Sequence, residues 1–385
     1  MDRTTMTRLA VEMQELAAAD STAMADSEFF KRAADYIDPS VAAAEISALF
    51  NRQPTVVGHR SQLTEPGDYF TVDVAGRPLL VVLQNDGSVQ AMLNVCRHRG
   101  ARVVEDTSGS RHAFTCRYHA WTYGRGGDLM VIPEADGFCN IELGDRGLEL
   151  VETEVRHGLI WVLAEGEGLD VATYLGALDA EFESFGLATW HEERVDEMDL
   201  DVNWKLFVDG FLELYHLPYL HATTVGLFIH QKPNLFEAAG PHSRSVGRRR
   251  TLNNEVLAVD PADLDLLQHS VVVYQLFPNT VVIWQGDHFE VWTTFPDPTD
   301  PSRSRTRASL LAPTKELAEQ NRDYWSKNWK LLMDTVRDED LEVSAGIQAN
   351  VASGVQREAI FGRNEPALQH FHKSVEASIA VSANE

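Results

Sequence analysis

One segment of the chain, residues 203–221, contains side chains that commonly bind metals. It reads NWKLFVDGFLELYHLPYLH and includes His216, His221 and the carboxylate of Glu213. Two neutral imidazoles and a carboxylate on one face of a redox metal leave the other face free, as oxygen-activating iron sites require. Because the histidines would lie about 140° apart on a regular helix, we expect Pro218 to break the helix and let His221 turn back. The alternative is a buried amphipathic helix with two incidental histidines.

A second group of metal-binding residues lies upstream, in the pairs Cys96–His98 and Cys116–His119. The spacing is C-x-H, seventeen intervening residues, and C-x-x-H. Two thiolates and two imidazoles can hold a [2Fe–2S] cluster, with the cysteines on one iron and the histidines on the other. A Cys2His2 zinc site uses the same donors and is the alternative. The full spacing, Gly100 after the first pair and the aromatic residues after the second pair favour the cluster.

These segments resemble a known family. CRHRGARV and CRYHAWTY resemble the cluster-binding loops of Rieske proteins, and residues 203–221 resemble the iron-binding segment of Rieske non-haem iron aromatic-ring-hydroxylating oxygenases, in their catalytic α subunits. The motifs occur in the family's order and separation, and the resemblance extends from about Asn51 to His372. It implies two cofactors: a [2Fe–2S] Rieske cluster on Cys96, His98, Cys116 and His119, and a mononuclear Fe(II) on His216, His221 and Asp340.

The resemblance also assigns roles to two acidic residues. Asp340 lies in the segment EDLEVSAGIQ, which is similar to the region that supplies the family's third iron ligand. On a regular helix its neighbours Asp338 and Glu339 would point about 200° and 100° away, so we expect both to be solvated. Glu213 matches the acidic residue that, in the family, links an iron-bound histidine to a Rieske histidine of the neighbouring subunit in a trimer. The alternative for Glu213 is local charge pairing on the helix surface.

Hydrophobic periodicity divides the chain into three parts and predicts an α+β protein. Residues 1–50 have helical spacing and are expected to pack on the catalytic domain. Residues 51–165 contain short β-rich runs with turn signals, as expected for a Rieske [2Fe–2S] antiparallel β domain. Residues 166–385 have an antiparallel sheet pattern flanked by helices, and they resemble the family's helix-grip (SRPBCC, Bet v1-like) catalytic domain with mononuclear iron. Here we expect a helix from about Lys205 to Tyr215 and a loop-rich stretch from Ala222 to about Asn254.

Composition argues against several other classes of protein. The 385 residues include 58 acidic and 33 basic residues, and the net charge of −25 argues against non-specific nucleic-acid binding. Of three cysteines, only Cys139 lies outside the predicted cluster, so we expect no disulfide framework and a reducing cytoplasm. No run of about 18 apolar residues occurs and residues 1–20 lack a secretory signal pattern, so we expect neither a membrane span nor export.

The resemblance implies the terminal oxygenase of a multicomponent system, which uses O2 to hydroxylate a small organic, aromatic substrate. The chain shows no flavin or nicotinamide motif, so electrons from NAD(P)H would arrive from a separate reductase, with or without a ferredoxin. Because the chain is shorter than many α subunits that pair with a small β subunit, we expect an α-only homotrimer. The alternatives are a Rieske monooxygenase that demethylates a small N- or O-methylated compound (a quaternary ammonium, for example), a Rieske electron-transfer protein without oxygenase chemistry, and a zinc-binding scaffold.

Overall fold

The computed structural model describes residues 1–382, which form two compact units. The smaller unit comprises residues 50–174, and the larger unit comprises residues 1–49 together with the chain from residue 175 onward. The larger unit is therefore discontinuous in sequence. No helix within residues 1–382 is both long enough and apolar enough to cross a membrane.

The N-terminal segment of the larger unit contains helices, as its spacing predicted. Its elements are α1 (Arg3–Ala18), β1 (Phe29–Arg32) and α2 (Pro39–Glu45). The side chain of Asp2 caps α1 by accepting a hydrogen bond from Thr5 N, and Asp38 caps α2 by accepting one from Ser40 N. Each cap satisfies an amide group that a helix leaves without a partner at its start.

Antiparallel strands build the smaller unit. They are β2 (Thr55–His59), β3 (Asp68–Val74), β4 (Arg77–Leu83), β5 (Val89–Leu93), β6 (Ser108–Ser110), β7 (Phe114–Thr115), β8 (Thr122–Tyr123), β9 (Leu129–Val131), β10 (Leu150–Arg156) and β11 (Leu159–Leu163). One sheet has the order β2-β11-β10-β5-β4-β3-β6, and β7, β8 and β9 form a second sheet. Leu80, Val82 and Met92 of the first sheet share a core with Phe114 and Tyr123 of the second. This core gives the two cysteine-containing loops a packed base.

The remaining chain forms a long antiparallel sheet and most of the helices. The strands are β12 (His191–Leu200), β13 (Ile229–Ala239), β14 (His242–Arg249), β15 (Ser270–Leu276), β16 (Thr280–Trp284), β17 (Phe289–Pro296), β18 (Ser304–Ala312) and β19 (Glu358–Phe361). Helix α3 (Val171–Leu175) lies at the end of the smaller unit. The helices that follow it are α4 (Ala177–Phe185), α5 (Trp204–Asp209), α6 (Leu217–Leu220), α7 (Asn254–Leu257), α8 (Lys315–Gln320), α9 (Arg322–Thr335), α10 (Leu341–Ala352) and α11 (Pro366–Ser382). The sheet order is β12-β18-β17-β16-β15-β14-β13, and β1 pairs with β19.

Helices pack on this seven-stranded sheet. Every residue of β15 and β17 is buried, which fits their runs of β-branched and aromatic residues. Helix α5 contacts β17, while α11 contacts β13 and β14. The N-terminal helix α1 also contacts β13, and Ala23 N donates a hydrogen bond to Asn234 O at 2.9 Å. The mixture of antiparallel sheets and flanking helices confirms the predicted α+β fold class.

Two local predictions were wrong. The helix expected from Lys205 to Tyr215 ends at Asp209, because Gly210 has low helix propensity and the Glu213 side chain accepts hydrogen bonds from the following amides. The stretch expected to be loop-rich contains the β13–β14 hairpin. Its second strand buries the polar sequence His-Ser-Arg-Ser, so hydrophobic alternation could not reveal it. Arg244 is buried there with Glu181 and Glu237 as ion-pair partners.

Candidate metal centres and substrate pocket

The two predicted cluster loops close with the same backbone hydrogen bond. The carbonyl oxygen of Cys96 accepts a hydrogen bond from Gly100 N at 2.9 Å, and that of Cys116 accepts one from Ala120 N at 2.9 Å. Gly100 and Ala120 both have positive φ angles, 78° and 56°. Glycine adopts this conformation freely, and alanine adds only one methyl group at the equivalent position of the second loop. The two loops therefore close in the same way after their cysteines, although the histidine is the second residue after the cysteine in one loop and the third in the other.

The four predicted cluster ligands come together at these loops. Cys96 and Cys116 are buried free thiols, whereas His98 and His119 are partly exposed and their ring centroids are 4.5 Å apart. Burial raises the pKa of the Cys116 thiol. Nδ1 of His98 is buried and has no hydrogen-bond partner within the described residues. Buried thiols beside an unpartnered imidazole nitrogen fit a [2Fe–2S] cluster whose cysteines face inward and whose histidines face outward.

Two residues besides the four predicted ligands hold the first cluster loop in place. Asn94 is fully buried, and its Oδ1 accepts hydrogen bonds from the amides of residues 103 and 104 at 3.1 and 2.9 Å. Tyr123 Oη accepts a hydrogen bond from Arg97 N at 2.9 Å and lies 3.3 Å from Cys96 Sγ. Because hydrogen bonds to ligand sulfurs tune the reduction potential of such clusters, Tyr123 is placed to influence a cluster bound here.

Helix α5 begins the predicted iron segment and is buried along its whole length. Asn203 caps the helix, with Oδ1 accepting a hydrogen bond from Lys205 N at 2.9 Å. The ammonium group of Lys205 is 2.5 Å from Glu45 Oε1, and Trp204 Nε1 donates to Glu45 Oε2 at 2.9 Å. A buried ion pair with further hydrogen bonds therefore ties α5 to α2.

A buried group of three residues fixes the other end of α5. Oδ2 of Asp209 accepts a hydrogen bond from Tyr36 Oη at 2.8 Å, and Oδ1 lies 2.9 Å from His372 Nε2. Tyr36 lies between β1 and α2, and His372 lies on α11. Segments far apart in sequence thus hold the helix end from which the histidine-bearing turn departs.

His216 and His221 flank the short helix α6, as its N-cap and C-cap residues. Pro218 lies in the first turn of α6, where a proline costs no helical hydrogen bond. The chain therefore changes direction in the turn before His216, and the expectation that Pro218 breaks a continuous helix was wrong. A Cβ atom at Gly226 would lie 2.5 Å from the His221 carbonyl oxygen, so only glycine allows this close approach after α6.

His216, His221 and Asp340 converge on one point. One ligand atom from each lies within 4.8 Å of the others. Asp340 Oδ1 is 2.9 Å from His221 Nε2 and 3.7 Å from His216 Nε2. Two imidazole Nε2 atoms and a carboxylate oxygen around a common point form a donor set that suits non-haem Fe(II).

Each of these histidines also has a carboxylate at its other ring nitrogen. Glu213 Oε1 contacts His216 Nδ1, and Glu339 Oε2 lies 2.6 Å from His221 Nδ1. Thr224 Oγ1 donates to the same oxygen of Glu339 at 2.6 Å. A carboxylate at Nδ1 favours a proton on that nitrogen, fixes the ring orientation and leaves Nε2 available to a metal.

The expectation that Glu339 is solvated was wrong. Residues 336–340 form a π-helical turn between α9 and α10, so the angle between successive side chains differs from that of an α-helix. Glu339 and Asp340 consequently hold opposite nitrogens of the His221 ring. Asp338 is half exposed and pairs with the preceding arginine, as expected for a solvated residue. Burial is the largest influence on the pKa of His221 and lowers it, but the two carboxylates outweigh burial and the pKa is raised.

The histidine–aspartate group lines a cavity of about 240 Å³. Its apolar walls consist of Phe211, Leu214, Leu217, Val225, Phe228, Ile229, Val271, Val273, Ile283, Leu331, Leu332 and Val336. Besides Glu213 and the histidine–aspartate group, its polar residues are Arg249, Gln285, Asp287, His288, Glu290, Tyr324, Asn328 and Thr335. Pockets for drug-sized ligands measure about 300–1,000 Å³, so this cavity suits a smaller molecule.

Two family models match the chain. The model described as "Ring hydroxylating alpha subunit (catalytic domain)" matches residues 187–380, half of the sequence. The model described as "Rieske [2Fe-2S] domain" matches residues 53–150. The first match contains the histidine–aspartate group, and the second contains both cysteine–histidine pairs.

Curated relatives match part of the chain. The α subunit of benzene 1,2-dioxygenase from Pseudomonas putida is 32% identical over 187 residues, which are 47% of this chain and 42% of the relative. The α subunit of biphenyl 2,3-dioxygenase from Rhodococcus jostii (strain RHA1) is 30% identical over 187 residues, 47% of this chain and 41% of the relative. The chain thus spans less than half the length of the curated relatives that it matches.

Solved structures match nearly the whole chain. A quaternary ammonium Rieske monooxygenase has a TM-score of 0.76 at 19% identity, covering 94% of this chain and 95% of that chain. Naphthalene 1,2-dioxygenase from Rhodococcus sp., bound to indole, has a TM-score of 0.74 at 16% identity, covering 97% and 98%. At these identities the similarity establishes a shared fold.

Proposed function

The chain belongs to the family of ring hydroxylating alpha subunits, and we propose that it is the terminal oxygenase component of a multicomponent Rieske system. It carries a Rieske [2Fe–2S] domain ahead of the catalytic domain, and both family cofactors are accordingly expected in one chain. The reaction is the O2-dependent hydroxylation of a small aromatic substrate with electrons that originate from NAD(P)H. The names of the curated relatives, which are dioxygenase α subunits, support an arene dioxygenation.

The convergence of His216, His221 and Asp340 on the wall of a mostly apolar cavity carries this proposal. Iron(II) bound by these residues, supplied with electrons by the cluster, provides the chemistry of oxygen activation. The chain itself orients the two imidazoles through Glu213 and Glu339. The cavity walls hold the substrate carbon near the histidines and exclude water. A simple electron-transfer protein has no use for such a pocket.

The proposed ligands follow from the two groups of side chains. Cys96, His98, Cys116 and His119 bind the [2Fe–2S] cluster, and His216, His221 and Asp340 bind the mononuclear iron. Support comes from the buried thiols, from the unpartnered Nδ1 of His98 and from the common point toward which the Nε2 atoms of the second group are aimed.

Glu213 is proposed as the link between subunits. One of its oxygens already contacts His216 Nδ1, which is half of the bridge that the role requires. His98 or His119 of a neighbouring subunit would supply the other half, so we propose a homotrimer or a multiple of it. The exposed rings of Tyr215 and Tyr219 beside Glu213 support a contact surface there. A separate reductase, with or without a ferredoxin, refills the cluster, and the cytoplasmic location stays a prediction.

Metal analysis and oxygen uptake together test the function. Protein purified and reconstituted without oxygen should contain about three irons and two acid-labile sulfides per chain. Asp340→Ala should remove one iron and leave the visible spectrum of the cluster intact. Two irons in the wild type, even after reconstitution, would identify an electron-transfer protein, and zinc without sulfide would identify a scaffold.

A substrate screen with a surrogate reductase then defines the reaction. Oxygen uptake that depends on a substrate, followed by a product heavier by two oxygen and two hydrogen atoms, identifies a dihydroxylation. A product heavier by one oxygen atom identifies a monohydroxylation, and loss of a methylene unit identifies a demethylation. Iron-complete protein that shows no substrate-dependent uptake with any arene would contradict an aromatic substrate.

A further inference from the structure

The pocket lining extends along helix α9, with the histidine–aspartate group toward one end. Helix α9 contributes one face of the pocket, from Tyr324 at its start to Val336 just after its end. These residues are twelve positions apart, which corresponds to about 18 Å along a helix axis. Asp340 follows Val336 in the chain. At the opposite end, Tyr324 contacts Asp287. Asp287 belongs to a group of polar lining residues, here called the distal group, which are Arg249, Gln285, Asp287, His288 and Glu290. A ligand that fills the pocket therefore meets the distal group far from Asp340.

Arg249 is the cation of the distal group, and it lacks an anionic partner. Its Nε donates to Ser270 O at 3.2 Å, and its Nη2 donates to Gln285 O at 2.7 Å and to the Gln285 side-chain oxygen. All of these acceptors are neutral. Within the described residues, Nη1 of Arg249 has no hydrogen-bond partner, and no carboxylate forms an ion pair with this guanidinium. Both N–H groups of Nη1 remain available to a ligand.

The two carboxyl groups nearby are engaged elsewhere. Asp287 contacts His288 Nδ1 at 2.7 Å through one oxygen and Tyr324 Oη through the other, and its side chain is 51% exposed. Glu290 is buried and accepts a hydrogen bond from Gln285 Nε2 at 2.8 Å. Burial raises the pKa of Glu290, which disfavours its charged form. Neither group neutralises Arg249 by direct contact.

Arg244 in the same unit, which is buried where Arg249 is only partly buried, shows the contrast. Arg244 pairs with both Glu181 and Glu237, and its pKa is raised although burial, the largest influence, lowers it. Burial lowers the pKa of Arg249, and the charges of Glu290 and Asp287, which raise it, do not reverse that effect. A guanidinium keeps its charge at any ordinary pH, so Arg249 bears the cost of burial without the compensation of an ion pair.

We infer that Arg249 binds the anionic end group of the substrate, a carboxylate carried by an elongated apolar body. The apolar walls hold that body, and the end remote from the carboxylate reaches the group of His216, His221 and Asp340. A carboxylate oxygen completes the hydrogen bonding of Nη1 and supplies the missing negative charge. This inference rests on the proposed function, because it takes the pocket to be the substrate site.

Binding of matched probes to the cluster- and iron-loaded protein tests the inference. Titration calorimetry without oxygen or reductase compares biphenyl-4-carboxylate with biphenyl-4-carboxamide, which has the same shape and no charge. The acid should bind about 10- to 100-fold more tightly than the amide, the range typical of a hydrogen bond to a charged group. Arg249→Gln should abolish this preference, and Arg249→Lys should retain only part of it, because lysine keeps the charge but loses the planar fork.

Arg248→Gln is the matched control, since its side chain projects from the opposite face of strand β14 and its Nε donates to Leu252 O. This variant should keep the full preference for the acid. Equal binding of acid and amide to the wild type, failure of the acid to bind, or tighter binding of the cation 4-phenylbenzylamine would each overturn the inference. So would a preference that survives in folded Arg249→Gln. If that variant does not fold, an unchanged preference in Arg249→Lys overturns the inference and a reduced one supports it.

The readout separates this inference from the proposed function. Binding of the acid requires neither oxygen nor electrons. Selective, Arg249-dependent binding by a protein that never consumes oxygen would refute only the oxygenase. Oxygen-dependent turnover of neutral arenes, with no preference for the acid, would refute only the role of Arg249.

Discussion

Glu339 provides a direct test of how the histidines are oriented. Its Oε2 atom lies 2.6 Å from both His221 Nδ1 and Thr224 Oγ1, and its side chain is 21% exposed. Glu339→Ala removes this contact and leaves the His221 ring free to turn or to change its tautomer. Residues that orient a metal ligand in this way contribute about 10- to 100-fold to metal affinity. We therefore expect iron(II) to bind about 10- to 100-fold more weakly to this variant.

Glu339→Gln measures the contribution of the charge alone. The amide oxygen still accepts a hydrogen bond from His221 Nδ1, but a bond to a charged partner is worth roughly 1 kcal/mol more than a neutral one. That difference corresponds to about fivefold weaker binding of iron(II). Asp338→Asn is the matched control, because it removes the adjacent carboxylate, which is half exposed and pairs with Arg337. Its affinity should equal that of the wild type.

The assay is an anaerobic titration of iron(II) against a competing chelator. The visible absorption of the cluster, recorded on the same samples, shows that the Rieske domain is intact in each variant. We expect the affinity for iron(II) to decrease from the wild type to Glu339→Gln and to be lowest in Glu339→Ala. If both variants bind iron(II) as tightly as the wild type, Glu339 does not orient His221 and the reasoning is refuted.

Three further predictions concern other acidic residues. Glu213→Gln should keep its iron when iron(II) is in excess but lose about 10- to 100-fold in substrate-coupled oxygen uptake, because a neutral amide is a weaker acceptor than a carboxylate for the N–H groups of His216 and of a second imidazole. Glu45→Gln leaves the ammonium of Lys205, which is 1% exposed, without its ion-pair partner and should lower the free energy of unfolding by about 3–5 kcal/mol in chemical denaturation. Glu290→Gln should gain stability relative to the wild type as the pH rises above about 4.3, the usual pKa of a glutamate in an unfolded chain. Burial raises the pKa of Glu290 in the folded state, so the folded protein binds more protons than the unfolded chain in this pH range. The stability of the wild type therefore falls as the pH rises, whereas Glu290→Gln lacks this contribution. Thermal unfolding of both proteins at about pH 5 and pH 8 measures the difference.

Each of these variants has an outcome that contradicts its rationale. Unchanged oxygen uptake in Glu213→Gln would remove the proposed link between subunits. Asp334→Asn is the control for Glu45→Gln, because Asp334 pairs with Lys330 near the surface, where an ion pair contributes less than about 1 kcal/mol. If Glu45→Gln lowers the free energy of unfolding no more than Asp334→Asn does, the buried ion pair contributes no more than an exposed one. Parallel pH profiles of wild-type and Glu290→Gln protein would show that this carboxyl group titrates normally.

The cluster loops could be predicted from the sequence because their chemistry is local. Each cysteine–histidine pair lies within one short loop, and the loops follow strands that the β-rich runs already indicated. The iron site is less local, because Asp340 is 119 residues beyond His221 and could be placed only through the family resemblance. The position of Glu339 depends on a π-helical turn that a regular helical projection misses. No sequence pattern in residues 338–340 indicated that Glu339 contacts His221 while Asp338 pairs with an arginine.

Hydrophobic patterns failed where polar residues are buried. Strand β14 carries Ser243, Arg244 and Ser245 inside the protein, where ion pairs and strand pairing replace apolar packing. Such tertiary contacts are invisible to a window of neighbouring residues. The end of α5 at Asp209 was missed for a different reason. The Glu213 side chain accepts hydrogen bonds from the amides of residues 215 and 216, and hydrophobic spacing does not register those contacts.

The anchoring of α5 has a consequence for the time at which the iron site can form during synthesis. Glu45 and Tyr36 leave the ribosome well before the histidines, but His372 leaves about 150 residues after them, roughly 8 to 30 seconds later at about 5–20 residues per second. Until α11 arrives, Asp209 lacks one of its two partners, and Asp340 must also have emerged. Metal insertion at this centre is therefore a late event, whereas the cysteine loops, complete by residue 123, can acquire their cluster while translation continues.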